Sequence, residues 1–166
     1  DTTNFRLRRE AFFKNMARLG LSVNEADILS VESTYDGAYL DTRALLSTGL
    51  DLAECYFCTN DIIAYGFIRA LREHGVAIPD DVSIIGFDNL PQSATMEPGL
   101  TTIDVSKRKI GNLAVTVLND LIAAAEPQPP VKILVGADLV LRASHERGLW
   151  KPTRNRLPKT VKQPAE

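Results

Sequence analysis

The chain has 166 residues, 45% of them hydrophobic, and a formal net charge of −2, which is enough apolar side chain for one packed domain or two small lobes. No run of about 18 apolar residues is present to span a bilayer, and the polar opening DTTNFRLRRE lacks the apolar stretch of a secretion signal, so a soluble cytoplasmic protein with no membrane partner is expected. Five basic residues and one acid between Lys151 and Glu166 leave the rest more acidic than the total; such a body matches a polyphosphate poorly, and any DNA contact has to come from sequence outside the chain.

In chain order, Phe12, Phe13, Met16 and Ala17 recur at helical spacing and predict a helix over 5–19 that Gly20 ends. The apolar run 26–31 predicts a strand. Ala38, Tyr39, Leu45 and Leu46 mark one side of a second helix that stops at Gly49, and 52–59 is the next predicted strand. Asn60 and Asp61 open a helix whose apolar positions Ile63, Phe67, Ala70 and Leu71 run towards Gly75, and 82–87 is a near-continuous apolar strand. A Pro/Gly-punctuated loop follows at 88–99, then a strand over 100–105. The most regular helix of the chain spans 106–122, with Ser106 as its N-cap; EPQPP ends it, one or two short strands fall within 131–144, and 151–166 reads as a mobile basic tail.

Strands alternating with helices of about a dozen residues imply right-handed crossovers, so the fold class is α/β with a parallel, doubly wound sheet. Cys55 and Cys58 form a C-x-x-C inside AECYFCTN. A strand turns these two thiols to opposite faces, and no second Cys or His pair completes a site, so neither a metal nor a cofactor is expected.

In open parallel sheets, ligands bind beyond the carboxyl ends of the strands. Tyr35 and Asp36, Asn60 and Asp61, and Asp88 and Asn89 follow predicted strands. Carboxylates that accept hydroxyl protons and amides that donate and accept suit a ligand rich in hydroxyls. The same residues also suit helix caps and turns, and both uses remain open here. Catalysis is not expected, because the chain has no Gly-x-Gly-x-x-Gly, Walker loop or Gly-x-Ser-x-Gly, and His74 and His145 lie away from the predicted strand ends.

Residues 59–122 resemble the C-terminal half of members of the lactose-repressor/galactose-repressor family. The resemblance is carried by Asn60-Asp61 at a helix start, IPDDVSIIGFDN at 78–89, Pro98-x-Leu100-Thr101-Thr102-Ile103, and Gly111 and Ala114 in the following helix, with NFRLRREAFFKNMARLGL at 4–21 and LVLRAS at 139–144 extending it. It implies a two-lobed, periplasmic-binding-protein-like (type I) sensor with one lobe near complete and the other mostly missing. Residues 1–90 would be the C-terminal lobe, 91–130 a crossover with a strand and helix of the N-terminal lobe, and 131–150 closing strands of the C-terminal lobe. A small sugar-like effector would sit between the lobes on Arg8, Asn60 and Asp88, with Tyr35 as an aromatic stacking partner and Asp61 at the neighbouring cap position. Operator DNA would be read, as a homodimer, by a headpiece absent from this chain. A periplasmic sugar-binding protein of a transport system has the same lobes and is the alternative. Ala11 stands where the family has Gly, a mild change within a helix. Ile62, Tyr65, Phe67 and Ile68 give their helix more apolar surface than one sheet-facing stripe needs, and the dimer interface is expected to include residues from 62 to 90.

Overall fold

The structure is a computed structural model that describes residues 3–146; the tail at 151–166 lies outside them. Four strands, β1 (Cys55–Phe57), β2 (Ser83–Phe87), β3 (Thr101–Asp104) and β4 (Asp138–Val140), lie side by side in that order. β1, β2 and β3 run parallel, whereas β4 pairs with β3 antiparallel, with Thr102 opposite Val140. The sheet is therefore mixed and not wholly parallel. β4 is reached by a long excursion after the helix that follows β3, not by a compact crossover, and returns along the β3 edge from the opposite end.

Strand alternation sends neighbouring side chains to opposite faces, and each face has its own helices. Helix α1 (Thr3–Arg18) lays its half-buried positions Phe5, Arg8, Phe12, Phe13 and Met16 over one face. Phe12 stacks on Phe57 with ring centroids 5.5 Å apart. Gly20, at φ +71°, ends the helix as Leu21 N–H donates back to the Met16 carbonyl. On the other face Tyr56 meets Phe67 edge-on at 5.0 Å. Phe67 belongs to α3 (Asp61–Glu73), which packs closely on α2 (Tyr35–Ser47). Small residues permit the approach: Ala38, Ala64 and Ala70 are fully buried, and a Cβ on Gly66 would collide with the Tyr35 carbonyl and the Tyr39 amide. Ile68, Leu71, Ile84 and Leu100 complete the core.

Other expectations need correction as well. The 26–31 segment is not a strand: Asn24 caps a single 3-10 turn at Glu25–Asp27, and Ile28 to Val31 run on without a strand partner. Leu29 and Val31 still pack on the core in alternation with exposed Ile28 and Ser30, so the apolar signal reflects burial and not a hydrogen-bonded ladder. The apolar surplus of α3 does not await a second subunit. Tyr65, Phe67 and Ile68 are buried by their own chain, between the sheet and α2. Finally, the 100–105 segment, placed above in a separate N-terminal lobe, is the third strand of this same sheet, since β3 continues the β2 ladder from Thr101 to Ile103.

Within the 88–99 loop, Pro91–Thr95 forms a short helix, α4, with proline at its start. α5 (Lys107–Ala123) follows β3. Ser106 does not cap it: its backbone is left-handed at φ +50°, its side chain makes no capping bond, and Asp104 Oδ1 accepts the Ser106 N–H instead, at 2.8 Å. No residue of α5 is buried, and Ile110, Val115, Leu118, Leu121 and Ile122 face outward.

Cys55 is exposed and Cys58 buried, with no bond between them. Burial pushes the Cys58 thiol up to about 12, out of reach of alkylation near neutral pH. Iodoacetamide should therefore add one group to the native chain, on Cys55, and two after unfolding in urea. Mass spectrometry distinguishes the cases, and two adducts on the native chain would contradict the burial.

Candidate functional site

The carboxyl ends of β1 and β2 meet under α1. Arg8, one turn into that helix, donates through Nη1 to the Thr59 carbonyl at 2.6 Å and through Nη2 to Asp88 Oδ1 at 3.3 Å. Its guanidinium lies 3.8 Å from the centre of the Phe87 ring, a cation–π placement that fixes a long, flexible side chain in one position. Both members of the ion pair keep partial access to solvent.

Burial pushes the Asp88 carboxyl above the ordinary aspartate value, and Asp61 adds to this, while Arg8 and Lys107 pull it back. The Asp88 N–H still donates to the Ile103 carbonyl, so the residue starts from the ladder. From there the chain turns through two left-handed residues, Asp88 at φ +114° and Asn89 at φ +48°, conformations that cost about 1–3 kcal/mol each in a non-glycine residue. Surrounding bonds hold the turn. Asn89 gives its side-chain N–H to Asp104 and accepts from Arg142, at 3.1 and 2.8 Å, and the Lys107 ammonium donates to the carbonyls of Asp88 and Asn89. The Ser106 N–H and Asn89 hold the Asp104 carboxyl below its usual range.

Asn60 stands next to Thr59 as the N-cap of α3, with Oδ1 accepting the Ile63 N–H at 2.8 Å. Its Nδ2 donates to no described residue, so the capping duty leaves the amide's donor end for another partner. The structure thus brings Arg8 and Asp88 together and puts Asn60 one residue from the Arg8 contact. It does not bring Tyr35 there. Tyr35 begins α2 and lines a groove of about 310 Å³ with Tyr65, Arg69, Arg72 and Met96, among others. Phe87, Lys107 and Arg142 join the site without having been singled out beforehand. The period-two pattern could have identified Phe87, which follows the same strand phase as Ile85; Lys107 and Arg142 arrive from just beyond β3 and β4, on segments that carry no local signal.

Charged and amide side chains thus gather at adjacent carboxyl ends of the parallel strands, with helices on both faces of the sheet, the place where open parallel sheets bind ligands in general. The model of the family described as "Periplasmic binding protein-like domain" matches residues 1–145. The chain is 35% identical over 146 residues to the HTH-type transcriptional repressor PurR of Haemophilus influenzae (strain PittEE), covering 87% of this chain and 43% of that protein. Among solved structures, a LacI-family regulator of Sanguibacter keddieii superposes with a TM-score of 0.77 at 30% identity, over 84% of this chain and 52% of that one. A LacI-family regulator of Arthrobacter sp. FB24, in complex with lactose, gives 0.71 at 28% identity, over 82% and 50%. The chain belongs to the periplasmic binding protein-like family, in the branch found in LacI/GalR-type transcriptional regulators. It spans less than half the length of the curated repressor and about half of each structural relative.

Proposed function

We propose that this chain is the effector-sensing domain of a cytoplasmic transcriptional repressor and that it binds a small sugar or sugar derivative over the carboxyl ends of β1 and β2. The observation that carries the proposal is the Arg8–Asp88 pair at 3.3 Å beside the donor end of Asn60. Asp88 accepts ligand hydroxyls, Arg8 and Asn60 donate to ring or hydroxyl oxygens, and Phe87 offers an apolar surface. Tyr35 remains a candidate stacking partner only if its groove joins the ligand site. Residues 3–104 and the segment returning at 131–146 make up one lobe, and α5 serves a second lobe whose remaining sequence lies outside this chain. An operator-reading headpiece also lies outside it. The repressor acts as a homodimer; support for that comes from the family, since α3 spends its apolar surface within its own chain. The regulatory names of the relatives favour this function over that of a transport protein with the same lobes.

The test uses the full-length regulator, titrated onto operator DNA with and without a panel of sugars that includes lactose. Asp88→Ala and Asn60→Ala should weaken the effector response by about tenfold or more while leaving operator affinity in the absence of sugar unchanged. Only the ionised carboxylate accepts two hydroxyl protons, and burial raises the Asp88 carboxyl. The response should therefore fade on acidification at a higher pH than an ordinary aspartate would set, and Asp88→Asn should remove that dependence. Alanine variants that respond normally would take these residues out of the site.

A further inference from the structure

Asp61 is fully buried, and its side chain hydrogen-bonds to neither Arg8 nor Asp88. Its Oδ2 accepts the Leu90 N–H at 2.8 Å and the Ser93 hydroxyl at 2.7 Å, and its Oδ1 accepts the Thr102 hydroxyl at 2.6 Å. A carboxylate only accepts, and that fixes the direction of every bond around it. Ser93 spends its one proton on Asp61, so the Tyr65 hydroxyl, 2.7 Å away, donates to Ser93. Thr102 likewise spends its proton on Asp61, which turns an oxygen lone pair toward the Asn89 N–H at 3.3 Å. The two amides that follow Asp88 are thus both tied to Asp61, one directly and one through Thr102. Gly86 makes room for the carboxylate, because a Cβ there would overlap Asp61 Oδ1.

We propose that Asp61 is a positioning residue for the effector site: through Leu90 and Thr102 it holds the Asp88–Asn89 turn in left-handed backbone, while Ser93, backed by Tyr65, holds the carboxylate itself. The relevance to effector binding rests on the function proposed above; the positioning does not, and is tested without ligand. Left-handed aspartate and asparagine relax unless the surroundings over-determine them. The carboxylate that anchors the turn is itself fully buried, as are Ser93 and Thr102, and a donor left unmet there costs more than one that water can reach.

The experiment is amide hydrogen exchange, read by mass spectrometry on the whole 166-residue chain, for wild type, Asp61→Asn, Ser93→Ala and Tyr65→Phe. Asparagine keeps the shape of Asp61 but sets a donor against Leu90 N–H or a hydroxyl. Exchange across 87–92 should accelerate by about tenfold in Asp61→Asn and Ser93→Ala, and less in Tyr65→Phe, while exchange across β1 and residues 83–86 of β2 stays at the wild-type rate. A residue that merely stabilises the fold would accelerate all of these segments by one factor, and that result would overturn the proposal. So would wild-type exchange at 87–92 in Ser93→Ala, which decides the matter alone if Asp61→Asn fails to fold. Absence of sugar binding by the wild-type full-length protein, with 87–92 behaving as expected here, would sink the effector function and leave the positioning intact.

Discussion

Gly86→Ala should lower the stability of the chain by about 3 kcal/mol, read as a fall in the urea midpoint at unchanged slope. The position lies in the central strand, and an added Cβ would meet Asp61 Oδ1 and come within 2.9 Å of Leu100 Cδ2. Neither neighbour moves freely. Leu100 is fully buried in the core, and Asp61 is held by three hydrogen bonds. To admit one methyl group the strand has to shift or the carboxylate has to give up partners in a place water does not reach. Gly111→Ala supplies the control. That glycine lies in α5 with nothing within 4 Å, so alanine should leave stability unchanged or raise it by about 1 kcal/mol through helix propensity. Equal midpoints for the two variants would show that Gly86 is not a packing constraint.

Ile84→Ala should cost about as much for a different reason. Ile84 is fully buried between its neighbours in β2, and removing its outer carbons loses their transfer energy and leaves a cavity, about 3–4 kcal/mol together. Ile110→Ala deletes the same atoms from α5, where the side chain is 45% exposed, and should change the midpoint by about 0.5 kcal/mol or less. The contrast measures how far the stability of this chain resides in the sheet and its two helix layers and how little in α5. If Ile110→Ala destabilised the chain as much as Ile84→Ala, the outer face of α5 would have to be covered in solution.

Much of the architecture was legible because its signals are local. Gly20, Gly49 and Gly75 all adopt positive φ at the helix ends where the fading helical period placed them, and Asn60 caps α3 with the spacing that Asn-Asp before an apolar helix suggests. What escaped notice depends on partners far along the chain. The 26–31 run has the alternation of a strand, but whether a strand lies beside it is decided elsewhere. The apolar excess of α3 is real, and only the fold reveals that α2 consumes it. At the site, residue types at predicted strand ends pointed to Asn60 and Asp88, and the family resemblance to Arg8, but the ion pair spans 80 positions of sequence, and no spacing rule predicts it. Tyr35 shows the converse: the resemblance offered it as a stacking partner, and the packing of α2 on α3 carried it into a different groove. Asp61 looked like a cap and proved to be a buried acceptor, a distinction that burial alone reveals.

The path of the last described residues bears on how the chain acquires this structure. Ser144 takes part in the heart of the sheet: Ile84 N–H donates to its carbonyl, its hydroxyl returns a bond to the Ile84 carbonyl at 2.6 Å, and its own N–H reaches Gly99. The bonds to Ile84 join residues 60 apart in sequence, and loop closure over such a distance has to come before it is rewarded. During synthesis at the ribosome, β1, α3 and β2 emerge well before Ser144, so the central strand must wait with its backbone groups only partly matched. Until Ser144 arrives, the backbone N–H and carbonyl of Ile84 lack these partners beside the apolar core, an incompletely paired strand of the kind that invites aggregation when left unattended.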